Sequence, residues 1–156
     1  MQYTSGRRVL GDNRLSLEGC QLNKLEFISE CINAISGKRH LDSGFGWGGL
    51  IKFLMEKNEG LVSHGITISQ EQAEFARKHV TSKNAKFFVT SFEDYTPDEP
   101  YDFAIVVGML EHVPLAQHPK FFKWLNDRLT RGGRVYIQSI TYPPDGNFTD
   151  RTKLLN

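Results

Sequence analysis

The stretch that most narrows what this chain can become is His40-Leu41-Asp42-Ser43-Gly44-Phe45-Gly46-Trp47-Gly48-Gly49-Leu50. An apolar strand end and an acid are followed by glycines at alternate positions, which lead straight into Leu50, Ile51, Phe53 and Leu54. That is the pattern of a strand, a tight turn and the first turn of a helix. Gly44 and Gly46 carry no Cβ and reach positive φ without strain, so the backbone can pass within contact distance of a ligand while helix N–H groups point at it. The stretch reads as a nucleotide-binding turn.

Two kinds of nucleotide site compete for it. Gly44, Gly46 and Gly49 satisfy G-x-G-x-x-G, the dinucleotide fingerprint, but such sites also carry an acid roughly 20 residues on for the ribose hydroxyls. That region reads Ser63-His64-Gly65-Ile66-Thr67-Ile68-Ser69, with no acid, which argues against a nicotinamide-dependent oxidoreductase. The acid stands upstream instead, at Asp42, and the run Leu41-Asp42-x-Gly44-x-Gly46-x-Gly48 resembles the first motif of S-adenosylmethionine (SAM) methyltransferases.

A chain of 156 residues builds one core. A net charge of +1, with Lys and Arg spread along the sequence, leaves no electrostatic footprint for nucleic acid. Cys20 and Cys31 fall in one helical pattern about three turns apart, too far to bridge each other, so both are expected as free thiols in a reducing compartment. The longest apolar run, Phe103 to Leu110, is far short of the roughly 20 residues that span a bilayer. A cytoplasmic protein without a transmembrane segment is expected, and no metal site.

Taken in order, Met1 to Asp12 is polar and aperiodic, an arm. From Leu15 to Ile35 the positions Leu22, Leu25, Ile28, Ile32 and Ile35 mark one face of a helix, with Gly37 as its stop. A strand at Arg39 to Asp42 leads through the glycine turn into a helix reaching about Lys57, closed by Asn58 and Gly60. Leu61 to Ile68 is a strand, and Ser69-Gln70-Glu71-Gln72 a capping box opening a helix that runs to about Ser82. Lys86 to Thr90 and Asp102 to Val107 are strands, the latter apolar enough to be central and covered on both faces. Leu115 to Leu129 is expected as a helix, with Phe121, Phe122, Leu125 and Leu129 on one stripe and Gly132-Gly133 ending it. Arg134 to Ile140 is a fifth strand, stopped by the turn Tyr142-Pro143-Pro144-Asp145-Gly146. The alternation predicts an α/β fold, a Rossmann-like doubly wound parallel sheet. Its ligand would sit at the carboxyl ends of strands one and four, where the strand order reverses.

Four segments agree in order and spacing with one family. Tyr3-Thr4-Ser5-Gly6, Leu41 to Leu50, Gly65-Ile66-Thr67-Ile68-Ser69-x-x-Gln72 and Val107-Gly108-Met109-Leu110-Glu111-His112-Val113 resemble the cyclopropane-fatty-acyl-phospholipid synthase family of class I SAM-dependent methyltransferases. The resemblance implies an arm and cofactor-covering helix over 1–38 and a SAM-binding core over 39–156. That core lacks the last two strands of the fold, because Tyr142 to Asn156 is too short to supply them. It implies methyl or methylene transfer to an unsaturated acyl, lipid or related small-molecule acceptor. Methylation of a small-molecule natural product at nitrogen or carbon, or a non-catalytic SAM-binding module, stands as the alternative.

Residue by residue, the resemblance places Tyr3, Thr4 and Ser5 over the methionine end of SAM, near Asp42 and Trp47, with Gly44 and Gly46 beneath. Thr67, Ser69 and Gln72 belong to the ribose side. Ser91, Phe92 and Glu93 supply adenine contacts, and Val107 and Gly108 line the opposite wall. Glu111 and His112 are the catalytic candidates. In the family this glutamate helps hold a bicarbonate, a site that also uses a cysteine where this chain has Ser5 and a histidine where it has Gln138. Gln138 cannot carry positive charge, so an anion there loses a charge-assisted hydrogen bond, which puts ring closure in question while leaving SAM binding intact.

Overall fold

Strand and helix alternate through the residues that the computed structural model describes, 4–8, 16–35 and 37–140. Tyr3 and the turn at Tyr142–Gly146 lie outside them. The order is α1 (Leu17–Ile32), β1 (Arg39–Ser43), α2 (Gly49–Lys57), β2 (Val62–Thr67), α3 (Gln70–His79), β3 (Ala85–Val89), β4 (Tyr101–Val107), α4 (His118–Asn126) and β5 (Leu129–Gln138). The strands form one sheet in the order β3-β2-β1-β4-β5, every neighbouring pair parallel. Chain order reverses between β1 and β4, as the alternating pattern predicts, and a crevice opens there at the carboxyl ends of both strands.

Both faces of the sheet are covered, which is why β4 reads as a continuous apolar run. Phe103 and Ile105 of β4 pack with Leu25, Ile28 and Ile32 of α1 and Leu50 and Leu54 of α2. Ala104 and Val106 point the other way, into a cluster with Phe121, Trp124 and Leu125 of α4. Ala73 and Ala76 of α3 close over Phe45, Ile51 and Phe87. No helix among the described residues is long and apolar enough to cross a membrane, and Cys20 and Cys31 are free thiols.

Besides α3, which stops at His79 and not near Ser82, two boundaries differ from expectation. The first helix ends at Ile32, because Asn33 takes the left-handed conformation and its N–H turns back to Glu30 O, while Ala34 N–H reaches Ser29 O. That closes the helix before Gly37. Its buried stripe is also shifted: Leu22 and Ile35 are exposed, whereas Cys20 and Lys24 are buried.

The second difference is larger. Leu115–Gln117 is a separate 3-10 turn, α4 ends at Asn126, and Leu129 already belongs to β5. Gly132-Gly133 does not end a helix but forms an irregularity inside the strand, since the register passes from Tyr101↔Leu129 to Phe103↔Arg134. Gly132 has φ +80, and a Cβ on Gly133 would lie 2.9 Å from Thr130 O, so the bulge accepts only residues without a side chain there. β5 forms an edge of the described sheet with Val135 and Ile137 exposed.

Candidate functional site

Two cavities meet at Gly44 in the crevice. The larger, about 440 Å³, has walls from Ser43, Thr67, Ser69, Gln72, Ser91, Phe92, Gly108, Met109 and His112, among others. The smaller, about 50 Å³, is lined by Thr4, Lys24, Asp42, Gly44, Gly46, Trp47 and Val107, with apolar neighbours. Gly44 has φ +81 and a Cβ on it would fall 2.6 Å from Cγ of Met109. A side chain there would fill the junction of the two cavities. Gly44 N–H donates to Ile66 O at 2.9 Å, which ties the turn to β2.

On the β2 side, Thr67 Oγ1 donates to Gln72 Oε1 at 2.9 Å and accepts Ser69 N–H at 3.2 Å. Ser69 Oγ accepts Gln72 N–H, so half of the expected capping box forms. The other half does not: Gln72 turns its amide to Thr67 at the cavity wall instead of back to Ser69 N–H. Ser43 Oγ, on the same wall, is buried with no hydrogen-bond partner among the described residues, a polar atom available to a ligand.

Beyond β3, Ser91 and Phe92 line the larger cavity, while the Phe92 ring meets Phe121 and Trp124 edge to face. Glu93 leaves the same loop outward and pairs with Lys120 at 2.9 Å. Across the crevice, Gly108 has φ +62 and a Cβ on it would lie 2.9 Å from Cγ2 of Thr4, so the arm lies over the turn after β4. Ser5 is exposed.

Glu111 and His112 stand in the 3-10 turn Leu110–His112 directly after β4, at the glycine-turn end of the sheet. His112 borders the larger cavity. Glu111 is exposed and accepts Ile140 N–H on Oε1 at 2.7 Å. A bicarbonate at Glu111 finds no support here: Ile140 N–H is committed to the carboxylate, and Ser5 and Gln138 bring no positive charge.

Burial sets the charges in the smaller cavity. Asp42, 2% exposed, is pushed up to about 7 by loss of solvation, and Lys24, 4% exposed, is lowered to about 8 by the same cause. Lys24 Nζ donates to Thr4 Oγ1 at 2.7 Å. The sequence reading overlooked Lys24, although its place four residues after Cys20 and four before Ile28 sets it on the buried stripe. It also overlooked Ser43, Thr90 and Met109, whose roles depend on which loops come together.

A five-stranded parallel sheet in this order, with a glycine turn after β1 and polar walls at the switch point, defines a Rossmann-like nucleotide-binding domain of the class I methyltransferase type. The sequence model of the family described as mycolic acid cyclopropane synthetase matches residues 2–154, and the chain belongs to that family. It is 30% identical to "Probable fatty acid methyltransferase Rv3720" of Mycobacterium tuberculosis, over 97% of this chain and 36% of the relative. It is 31% identical to cyclopropane-fatty-acyl-phospholipid synthase of Escherichia coli, over 90% of this chain and 35% of the relative. The chain thus spans about a third of the length of these curated relatives. The crystal structure of mycolic acid cyclopropane synthase CmaA1 complexed with SAH and CTAB superposes with a TM-score of 0.74 at 24% identity, covering 83% of this chain and 45% of that one.

Proposed function

We propose that this chain is the SAM-binding and methyl-transferring domain of an enzyme that alkylates an unsaturated acyl chain or related lipid. The observation that carries the reading is the junction at Gly44. A cavity with a hydroxyl–amide wall meets there a second one that holds a carboxylate and an ammonium, the shape and polarity of a nucleoside joined to an amino acid. Family membership and relatives named as fatty acid methyltransferase and cyclopropane-fatty-acyl-phospholipid synthase supply the acceptor class. The reducing cytoplasm suits the free thiols of Cys20 and Cys31.

Bound in the crevice, SAM supplies an electrophilic methyl group on a sulfonium. The chain's own residues bind and orient. Gly44 and Gly46 let the backbone approach, Thr67 and Gln72 hold ribose hydroxyls, Ser91 and Phe92 face the adenine, and Thr4 covers the amino-acid end. Holding two reactants in line and excluding water can supply roughly 7–11 kcal/mol of the barrier. Methyl transfer to an alkene carbon would leave a cation on its neighbour. Glu111, exposed in the turn after β4, would stabilise that charge or accept the proton the methylated cation releases, with His112 beside it.

Incubation with methyl-labelled SAM and extracted unsaturated phospholipids tests the reading. Label in the acyl chains supports it. Tight binding of S-adenosylhomocysteine (SAH) without label in any lipid fraction would reduce the proposal to cofactor binding.

A further inference from the structure

The ammonium of Lys24 is hard to account for as packing. It sits on α1 among Cys20, Leu25 and Ile28, is 4% exposed, and its contact among the described residues is a neutral hydroxyl, Thr4 Oγ1 at 2.7 Å. Among the described residues no carboxylate lies within ion-pair distance of it. A buried ammonium with only a hydroxyl partner is costly in a folded protein. Substitution by Leu or Met would fill the same space without that cost. The side chain does, however, border the smaller cavity, whose other polar wall is the Asp42 carboxylate and whose open end is Gly44. One cavity therefore presents a buried cation and a buried anion to the same small volume.

We propose that Lys24 is the counter-ion for the carboxylate of the cofactor's amino-acid end, with Asp42 taking its α-ammonium, so that the pair selects a zwitterionic nucleoside over one lacking the carboxylate. The inference rests on the SAM reading of the crevice. Lys24 then works with Thr4, whose hydroxyl holds the ammonium in place and whose methyl lies against Gly108. Thr4, which lies over the turn after β4, thereby also orients the cation that meets the carboxylate. Hydrogen bonds to charged groups are stronger than neutral ones, and the effect is expected as a ten- to hundredfold change in affinity.

Calorimetry on the 156-residue chain decides it, with two ligands: SAH and its decarboxylated analogue, in which only the carboxylate is missing. The unaltered protein is expected to bind SAH about ten- to hundredfold more tightly. Lys24→Met should bring SAH down to the analogue's affinity while leaving the analogue unchanged, and Lys24→Arg should restore part of the preference. Equal affinity of the unaltered protein for both ligands overturns the proposal whether or not any variant folds. So does a Lys24→Met variant that loses both ligands equally, which would mark a structural role. Failure of the unaltered protein to bind either ligand removes the SAM reading itself, a result distinct from loss of the preference.

Discussion

A Cβ built on Gly44 would lie 2.6 Å from Cγ of Met109, so the turn after β1 and the turn after β4 touch across the crevice. Gly44→Ala therefore meets both a side chain and a backbone at φ +81, where an L residue is strained by roughly 1–3 kcal/mol. The expected result is a lower melting temperature and at least a tenfold loss of SAH affinity. Adding Met109→Ala should return part of the affinity but little of the stability, because it removes the clash and not the strain. Calorimetry and thermal melts on the two variants check this.

Thr67 and Gln72 hold each other at the wall of the larger cavity, and Ser69 caps α3 independently of the Gln72 amide. Gln72→Ala should therefore weaken SAH binding about tenfold while shifting stability by less than about 1 kcal/mol. Ser69→Ala should do the reverse, losing about 1 kcal/mol of stability as an N-cap. Urea unfolding beside SAH titration separates the two effects.

Asp42 is a carboxyl whose burial raises it to about 7. Its folded value lies above the ordinary carboxylate range, so the stability it contributes is complete below about pH 4 and is lost as pH rises through 7. Asp42→Asn should remove that dependence and leave the protein more stable at pH 8 by an amount on the order of 2 kcal/mol. It should also bind SAH at least tenfold more weakly. Urea midpoints from pH 5 to 8 for both proteins, with SAH titrations at pH 8, test the two signs.

His64 is buried against the hydroxyls of Tyr95 and Tyr101, and burial, with help from Arg39 and Lys86, lowers it to about 4. Between about 6.5 and 4 the unfolded chain binds the proton and the folded one does not. Stability is therefore full above 6.5 and falls as pH drops through that window. His40, lowered to about 3 by burial and then by His64, extends the loss to more acid pH. His64→Gln should flatten the fall between pH 6.5 and 4 by an amount on the order of 2–3 kcal/mol. An unchanged slope in urea unfolding would move the acid lability elsewhere.

The Glu111 carboxylate accepts one hydrogen bond among the described residues, from Ile140 N–H. An amide at this position keeps an oxygen for that N–H but loses the negative charge. Glu111→Gln should abolish methyl transfer and leave SAH affinity within about twofold. Transfer at the unaltered rate would take Glu111 out of the reaction.

Much of this was legible in the chain because local chemistry and the fold agree. The Gly44 turn needs positive φ, β4 is apolar on both sides because helices cover both faces of the sheet, and Ser69 caps α3 as its spacing predicts. The missed boundary between α4 and β5 shows where such reading stops. Phe121, Phe122, Leu125 and Leu129 share a helical stripe, yet Leu129 is drawn into the sheet opposite Tyr101 and the two following glycines become a bulge. A backbone ladder with a neighbouring strand outweighs a local period. Asn33 likewise closed α1 before the glycine that composition favoured.

The sequence by itself determined the alternation of strands and helices, the position of the glycine turn and hence the end of the sheet at which a nucleotide can lie. Those depend on period, glycine and capping chemistry within a few residues of one another. Only the tertiary structure decided that Lys24 and Asp42 share one cavity, that Gln72 faces Thr67, that Glu93 turns away to Lys120, and that Met109 stands against Gly44. Each of those depends on the distance between segments far apart in the chain, which packing of the layers sets and no local pattern encodes.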